Sequence, residues 1–372
     1  MRHPARTLPF ASLLTGLQAA QAAGLVLRRY DPGTSRSLWC YTNECVYDSG
    51  WNEFSLLARG LVLHEASEQV VATPFPKFFN LGEQGQVVPD LPFEAFEKVD
   101  GSLVIIHYWQ GRWRAVTKGA FDSPQAQWAE TRLAGQSLAA LMPGTTYLAE
   151  AVYPENRIVI TYAEPALVLL AAYRADGLEL ETPELQQVAT GLGWPLAERH
   201  AYASFAELAA EAQHLPATRE GFVIRFTNGL RLKVKGAEYR RIHALITRCT
   251  PLALWEALAA GDDLTALRRE LPEEFWSDFD AITALLRQQE AALLARIATA
   301  AASVAHLPDK ELGLVLTAQP DDVRPLLFAW RKFGGQLVGK SQDAFWRAIR
   351  PTGNVLPGYV ASYAMQRATD EL

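Results

Sequence analysis

In the segment Glu97-Lys98-Val99-Asp100-Gly101-Ser102-Leu103 a lysine stands just before a strand-like run, with an acid two residues on and a glycine beside it. A lysine so placed can be a covalent nucleophile, or it can sit in a solvated turn. An ε-amine attacks only when neutral, so burial or neighbouring cations must disfavour its charge. Leu230-Arg231-Leu232-Lys233-Val234-Lys235 offers such cations. Residues two apart on a strand share a face, so Lys233 and Lys235 project together. They suit a polyphosphate, or they guard an exposed edge strand. Two glutamates lie in apolar strand-like runs, Glu150 in Tyr147–Val152 and Glu220 before Gly221-Phe222-Val223-Ile224. An acid there is costly unless paired or metal-bound. Magnesium takes one or two carboxylates plus substrate phosphates; a strand-edge salt bridge is the other use. Upstream, Arg59 opens a run with Gly60-Leu61 and suits a ribose or phosphate. Lys77 precedes Phe78-Phe79-Asn80, where Phe79 can stack on a base or pack in a core.

The elements that must hold these residues are mostly strands up to about residue 240. Runs 59–64, 103–109 and 112–117 read as strands, the last two joined by Gln110-Gly111. Further strands are predicted at 146–152, 157–162, 167–173, 221–226 and 230–235, the last pair joined by Asn228-Gly229. Helical patterns occupy 124–141 and two stretches within 183–214. Leu13, Leu14, Leu17 and Ala20 lie at helical spacing, so the N-terminal run reads as a surface helix rather than a secretory signal. After residue 240 the texture turns helical, at 252–260, 274–300, 321–333 and 342–350. The reading is therefore α+β: a domain of antiparallel sheets over 1–243, then an all-α domain over 244–372.

The order and spacing of these motifs resemble those of the covalent nucleotidyltransferases, the superfamily of polynucleotide ligases and RNA capping enzymes. In detail they resemble the bacteriophage RNA ligase 1 family of ATP-dependent RNA ligases. Lys118-Gly119 is similar to that family's element following the nucleophile strands, and Pro154-Glu155-Asn156-Arg157-Ile158-Val159 to the segment after its strand glutamate. Tyr239 stands where the family tends to carry an aromatic, and Val99 where some members carry an acid. The resemblance spans about residues 50–245. It implies a nucleotidyltransferase fold in the first domain and ligation of 5′-phosphate to 3′-hydroxyl RNA ends. Lys98 would become lysyl-AMP, with Asp100, Lys233 and Lys235 in the catalytic set. Arg59, Lys77, Phe79, Gly101, Lys118, Glu150, Glu220, Lys233 and Lys235 would surround ATP. Glu150 and Glu220 would hold magnesium, or manganese in its place. A separate end-healing kinase or phosphatase is a further implied partner.

The chain is acidic overall, with 35 Lys and Arg against 41 Asp and Glu, so a basic coat is excluded but a basic groove is not. Residues 219–248 carry eight Arg and Lys against two acids. Residues 324–350 carry six against one, with Trp330, Phe333 and Trp346 interleaved. Both strips suit RNA phosphates, although the tryptophans also fit the core face of an amphipathic helix. The helical domain is expected to select the RNA. Three cysteines make no disulfide framework, and no apolar run reaches membrane-span length, which fits a cytoplasmic protein. The seven histidines form no ligand-like cluster, and His107, inside an apolar strand, reads as structural. Competing readings are a DNA ligase or capping enzyme using the same chemistry, and a non-catalytic RNA-binding protein on a ligase scaffold.

Overall fold

The computed structural model describes residues 2–31, 33–271, 275–353 and 355–362. It divides into two compact units, Met1–Arg241 and Ile242–Leu372. Three sheets build the first. One has the order β1 (Val26–Asp31), β2 (Arg36–Tyr41), β3 (Arg59–His64) and β4 (Gln69–Ala72). In sequence order the next strands are β5 (Phe79–Asn80), β6 (Phe93–Glu97), β7 (Ser102–Trp109), β8 (Arg112–Thr117), β9 (Thr146–Val152) and β10 (Ala166–Tyr173). They are followed by β11 (Arg199–His200), β12 (Gly221–Phe226) and β13 (Arg231–Lys235). The second sheet runs β10-β9-β7-β8 and the third β11-β6-β12-β13-β5. All pairings are antiparallel except β5 with β13.

The apolar run of β7 follows from its burial on both faces. Ile105 packs with Val116 and Leu148 against Leu38, Val62 and Phe78 of the first sheet's side. Val104 and Ile106 face the other way, onto Ala129, Leu133, Leu185 and Ala189. The latter four lie on the helices Pro124–Ala134 and Thr182–Leu192. The N-terminal helix forms as its spacing predicts, Phe10–Ala22, and buries Leu13, Leu17 and Ala20 on Trp39, Leu61 and Leu63. The third sheet has its own core: Phe222, Ile224, Leu232 and Val234 pack on Leu208 and Ala212 of the helix Phe205–His214. That alternation turns Lys233 and Lys235 to the opposite face.

One predicted strand does not form. Residues 157–162 are irregular, because the N–H groups of Val159 and Ile160 donate to the Asp100 carboxylate, at 2.9 and 2.8 Å, instead of to a neighbouring strand. The helix expected over 124–141 stops at Ala134, where Gly135 caps it.

The second unit is built from helices. Thr250 caps Pro251–Ala260 by accepting from Ala253 N, and Gly261 ends it. Leu293 and Ile297 of the long helix Trp276–Ser303 pack on Leu326, Leu327 and Phe345. Trp330 and Trp346 lean on the same core. The patterns at 321–333 and 342–350 resolve into a 3-10 turn at Arg324–Leu326 and the helices Leu327–Lys332 and Lys340–Ala348. Residue 274, where one expected helix begins, lies outside the described residues. No helix among the described residues is long and apolar enough to cross a membrane.

Candidate active site

Lys98 follows the last residue of β6, and its backbone N donates to Gly221 O at 2.9 Å. The chain then turns sharply into β7. Gly101 permits the turn: a Cβ there would lie 2.6 Å from Ala151 O on β9. Asp100 pins it. Its buried carboxylate accepts from Val159 N, Ile160 N and the Tyr239 hydroxyl (2.9 Å), and its own N donates to the Tyr162 hydroxyl at 2.7 Å. Ser102 Oγ bonds Asn156 Oδ1 at 2.7 Å, so the 154–159 segment and the Lys98 turn are tied at two points.

The Lys98 ammonium meets Glu220 Oε2 at 2.8 Å, and Lys235 meets Glu220 Oε1 at 3.1 Å. Glu220 is 1% exposed. Burial works against its charge, but Lys98 and Lys235 outweigh it and hold the carboxyl below the usual range. The next residue, Gly221, has φ +140°, and a Cβ there would strike Val234 O at 2.1 Å. Only glycine brings β12 this close to β13, and this closeness sets Glu220 beside Lys235.

Lys233 is different. Its Nζ lies 5.0 Å from the centre of the Phe78 ring, and no carboxylate comes within ion-pair distance among the described residues. Burial, then Arg59, Lys98, Lys77 and Lys235, push its pKa well below the ordinary lysine value. Arg59 stands over the same Phe78 ring at 5.4 Å, and its buried Nη1 has no hydrogen-bond partner among the described residues. Lys77 is ringed by Tyr41, Trp51 and Phe79 at 5.5, 5.0 and 5.1 Å, and burial lowers its pKa too. Lys118 lies 5.1 Å from the Tyr41 centroid. Among the described residues Arg59, Lys77, Lys118 and Lys233 thus make no ion pair, with Glu83 acting on Lys77 only from a distance, and Lys98 and Lys235 share one acid. Unmatched buried cations are costly, so the site is built for an anion.

Glu150 is half-buried on β9, with its Cγ 3.0 Å from where a Gly101 Cβ would lie. Phe78 and Phe79 are both buried, with Phe79 edge-on to Trp51. Tyr41, Trp51 and Tyr162 have no signature in the spacing, because they join the site only through the fold. His107 is structural, as its apolar setting suggests: it is buried, accepts from Arg36 Nη1 at 2.7 Å, and burial lowers its pKa to about 3.

The strip 219–248 is less free than its composition suggests. Arg219 pairs with Glu97, Arg225 with Glu94 and Glu179, Arg231 with Glu179, and Arg241 with Glu238. Glu94, Glu97 and Glu179 come from other segments with no local pattern to announce them, whereas Glu238 sits one turn before Arg241 on the same helix.

Comparison with solved structures identifies the fold. An archaeal ATP-dependent RNA ligase superposes with a TM-score of 0.50, over 76% of this chain and 83% of its own, at 17% identity. The chain therefore shares the fold of that ligase over three quarters of its length. Residues 57–239 match the family described as RNA ligase. RNA ligase 1 of bacteriophage TS2126 is 32% identical over 153 residues, 34% of this chain and 38% of its own. A relative from Autographa californica nuclear polyhedrosis virus, 26% identical over 241 residues, carries a name joining polynucleotide kinase and RNA ligase. That match covers 56% of this chain and 34% of the viral one. The chain is similar to the RNA ligase family, of the phage RNA ligase 1 type, over residues 57–239. It spans between 34% and 53% of the length of the curated relatives it matches.

Proposed function

We propose that the chain is an ATP-dependent RNA ligase that joins a 5′-phosphate to a 3′-hydroxyl, acting in RNA repair, tRNA included. The observation that carries this reading is the group of four cations that make no ion pair among the described residues, around a lysine held on a buried carboxylate. A triphosphate fits that set. Neutral Lys98 attacks the α-phosphorus of ATP; the N–P bond forms, the bond to the bridging oxygen breaks, and pyrophosphate leaves. Arg59, Lys77, Lys118 and Lys233 stabilise the charge that develops on the phosphates. An oxygen of the RNA 5′-phosphate then attacks the lysyl-AMP, and Lys98 leaves. Finally the 3′-hydroxyl attacks the activated 5′-phosphate, loses its proton, and AMP leaves. Splitting the reaction this way replaces one hard displacement with easier ones.

Magnesium, or manganese, would neutralise phosphate charge when bound. Glu150 and Glu220 are the two carboxylates assigned to it. Glu220 already holds Lys98 and Lys235, and a cation there would have to displace an ammonium. We assign Glu220 first to placing the nucleophile and Asp100 to fixing its turn. The helical unit selects the RNA in this reading, and ends come from a kinase or phosphatase. The three buried free cysteines suit the reducing cytoplasm.

The test is covalent labelling with ATP labelled at the α-phosphate, with wild type, Lys98→Ala, Lys98→Arg and a GTP control. Label should appear on wild type, prefer ATP, and vanish in both variants, since arginine stays protonated. Label retained by Lys98→Ala overturns the assignment. A wild type unlabelled even after pyrophosphate stripping overturns the ligase reading and favours RNA binding without catalysis.

A further inference from the structure

We infer that Glu97 and Arg219 are a positioning pair for Lys98, an ion pair on the back of the site that sets the nucleophile against Glu220. The inference rests on the nucleotidyl-transfer reading above. Each partner stands one residue before a member of the front pair: Glu97 before Lys98, and Arg219 before Glu220. Adjacent residues of an extended chain face opposite sides. Lys98 and Glu220 meet on one side, and Glu97 and Arg219 close the same two segments on the other. Strand register fixes the frame, with Glu97 opposite Phe222 and Lys98 N bonded to Gly221 O.

The geometry is that of a fork. Arg219 Nε lies 3.1 and 3.2 Å from the two Glu97 oxygens, and Nη2 bonds Oε2 as well. His200 Nε2 stands 3.0 Å from Glu97 Oε2 and 3.1 Å from Arg219 Nη2, bringing β11 into the contact. The guanidinium also lies over the Phe222 ring at 5.4 Å, which fixes its plane. Paired chain segments 122 residues apart are thereby locked in register. The pair is partly exposed, so its direct worth to stability is small. Its worth to catalysis is larger, because a displacement of about 1 Å at a reacting group can cost about a hundredfold in rate.

Single-turnover adenylation of the full chain with α-labelled ATP tests this. The variants are Glu97→Gln, Arg219→Gln and the swap Glu97→Arg with Arg219→Glu. Melting curves set a temperature at which all four chains are folded. Each single variant should lose about tenfold to a hundredfold in maximal rate, with half-saturating ATP within about twofold of wild type. The swap should regain most of the rate. Single variants within about twofold of wild type, or a swap no faster than the singles, overturn the inference. An unlabelled wild type would instead strike the reading beneath it.

Discussion

Lys233 is half-buried, and the charges that act on it most, Arg59, Lys98, Lys77 and Lys235, are all cations. Among the described residues it makes no ion pair, and the Phe78 face lies 5.0 Å away. Such a residue serves a ligand at the expense of the fold. Its folded pKa lies well below the unfolded value near 10.5. Between the two values the unfolded chain binds a proton that the folded chain does not, so stability rises with pH across that window. Lys233→Met should remove this dependence. At pH 7 it should raise the melting temperature of the first unit by about 2–4 °C, the shift for about 1 kcal/mol at this size, while abolishing adenylation. Pyrophosphate, as the probe for the proposed phosphate site, should raise the melting temperature of wild type and leave the variant unmoved. Calorimetry with and without pyrophosphate reads both effects, and a variant less stable than wild type at pH 7 would show the lysine to be structurally satisfied.

At the scale of elements, the Lys98 turn depends on a segment that has no regular structure. Asp100 takes the N–H groups of Val159 and Ile160 and the hydroxyl of Tyr239, and so ties β7, the 157–162 run and the helix Ala237–Thr247 together. Asp100→Ala strands those donors out of water at about 1–3 kcal/mol each, so urea unfolding should show a loss of about 3 kcal/mol or more. A loss under about 1 kcal/mol would mean that solvent replaces the carboxylate. The same contact explains what the sequence conceals. Residues 157–162 carry strand-type composition, and only a carboxylate 59 residues away diverts their backbone. The hairpins around Gln110-Gly111 and Asn228-Gly229 were legible because turn chemistry and alternation are local. Lys98, Glu220, Lys233 and Lys235 were legible because residue type and strand spacing mark them. Tyr41 and Trp51 were not, and neither was the back pair of Glu97 and Arg219, since these meet only after distant strands align.

Over the whole molecule, a net charge of −6 hides two different cationic arrangements. In the first unit the cations of the candidate site point inward, and many of the other arginines are committed to acids. In the helical unit the strip 324–350 is partly spent too: Arg324 pairs with Asp321, while Arg331 pairs with Asp309 and donates to Val304 O and Leu307 O. Lys332, Lys340 and Arg347 remain exposed and have no acid partner among the described residues. If this face holds RNA, its contribution is electrostatic, and the salt dependence of binding counts the phosphates it meets. Replacing all three by alanine should weaken RNA binding and flatten the slope of log affinity against log salt by about 2, at about 0.7 per single-strand phosphate. Adenylation in the absence of RNA should be unchanged, because none of the three belongs to the nucleotide site. A triple variant with the wild-type salt slope would place the RNA elsewhere, while one that also loses adenylation would show that these residues support the fold of the enzyme and not its choice of RNA.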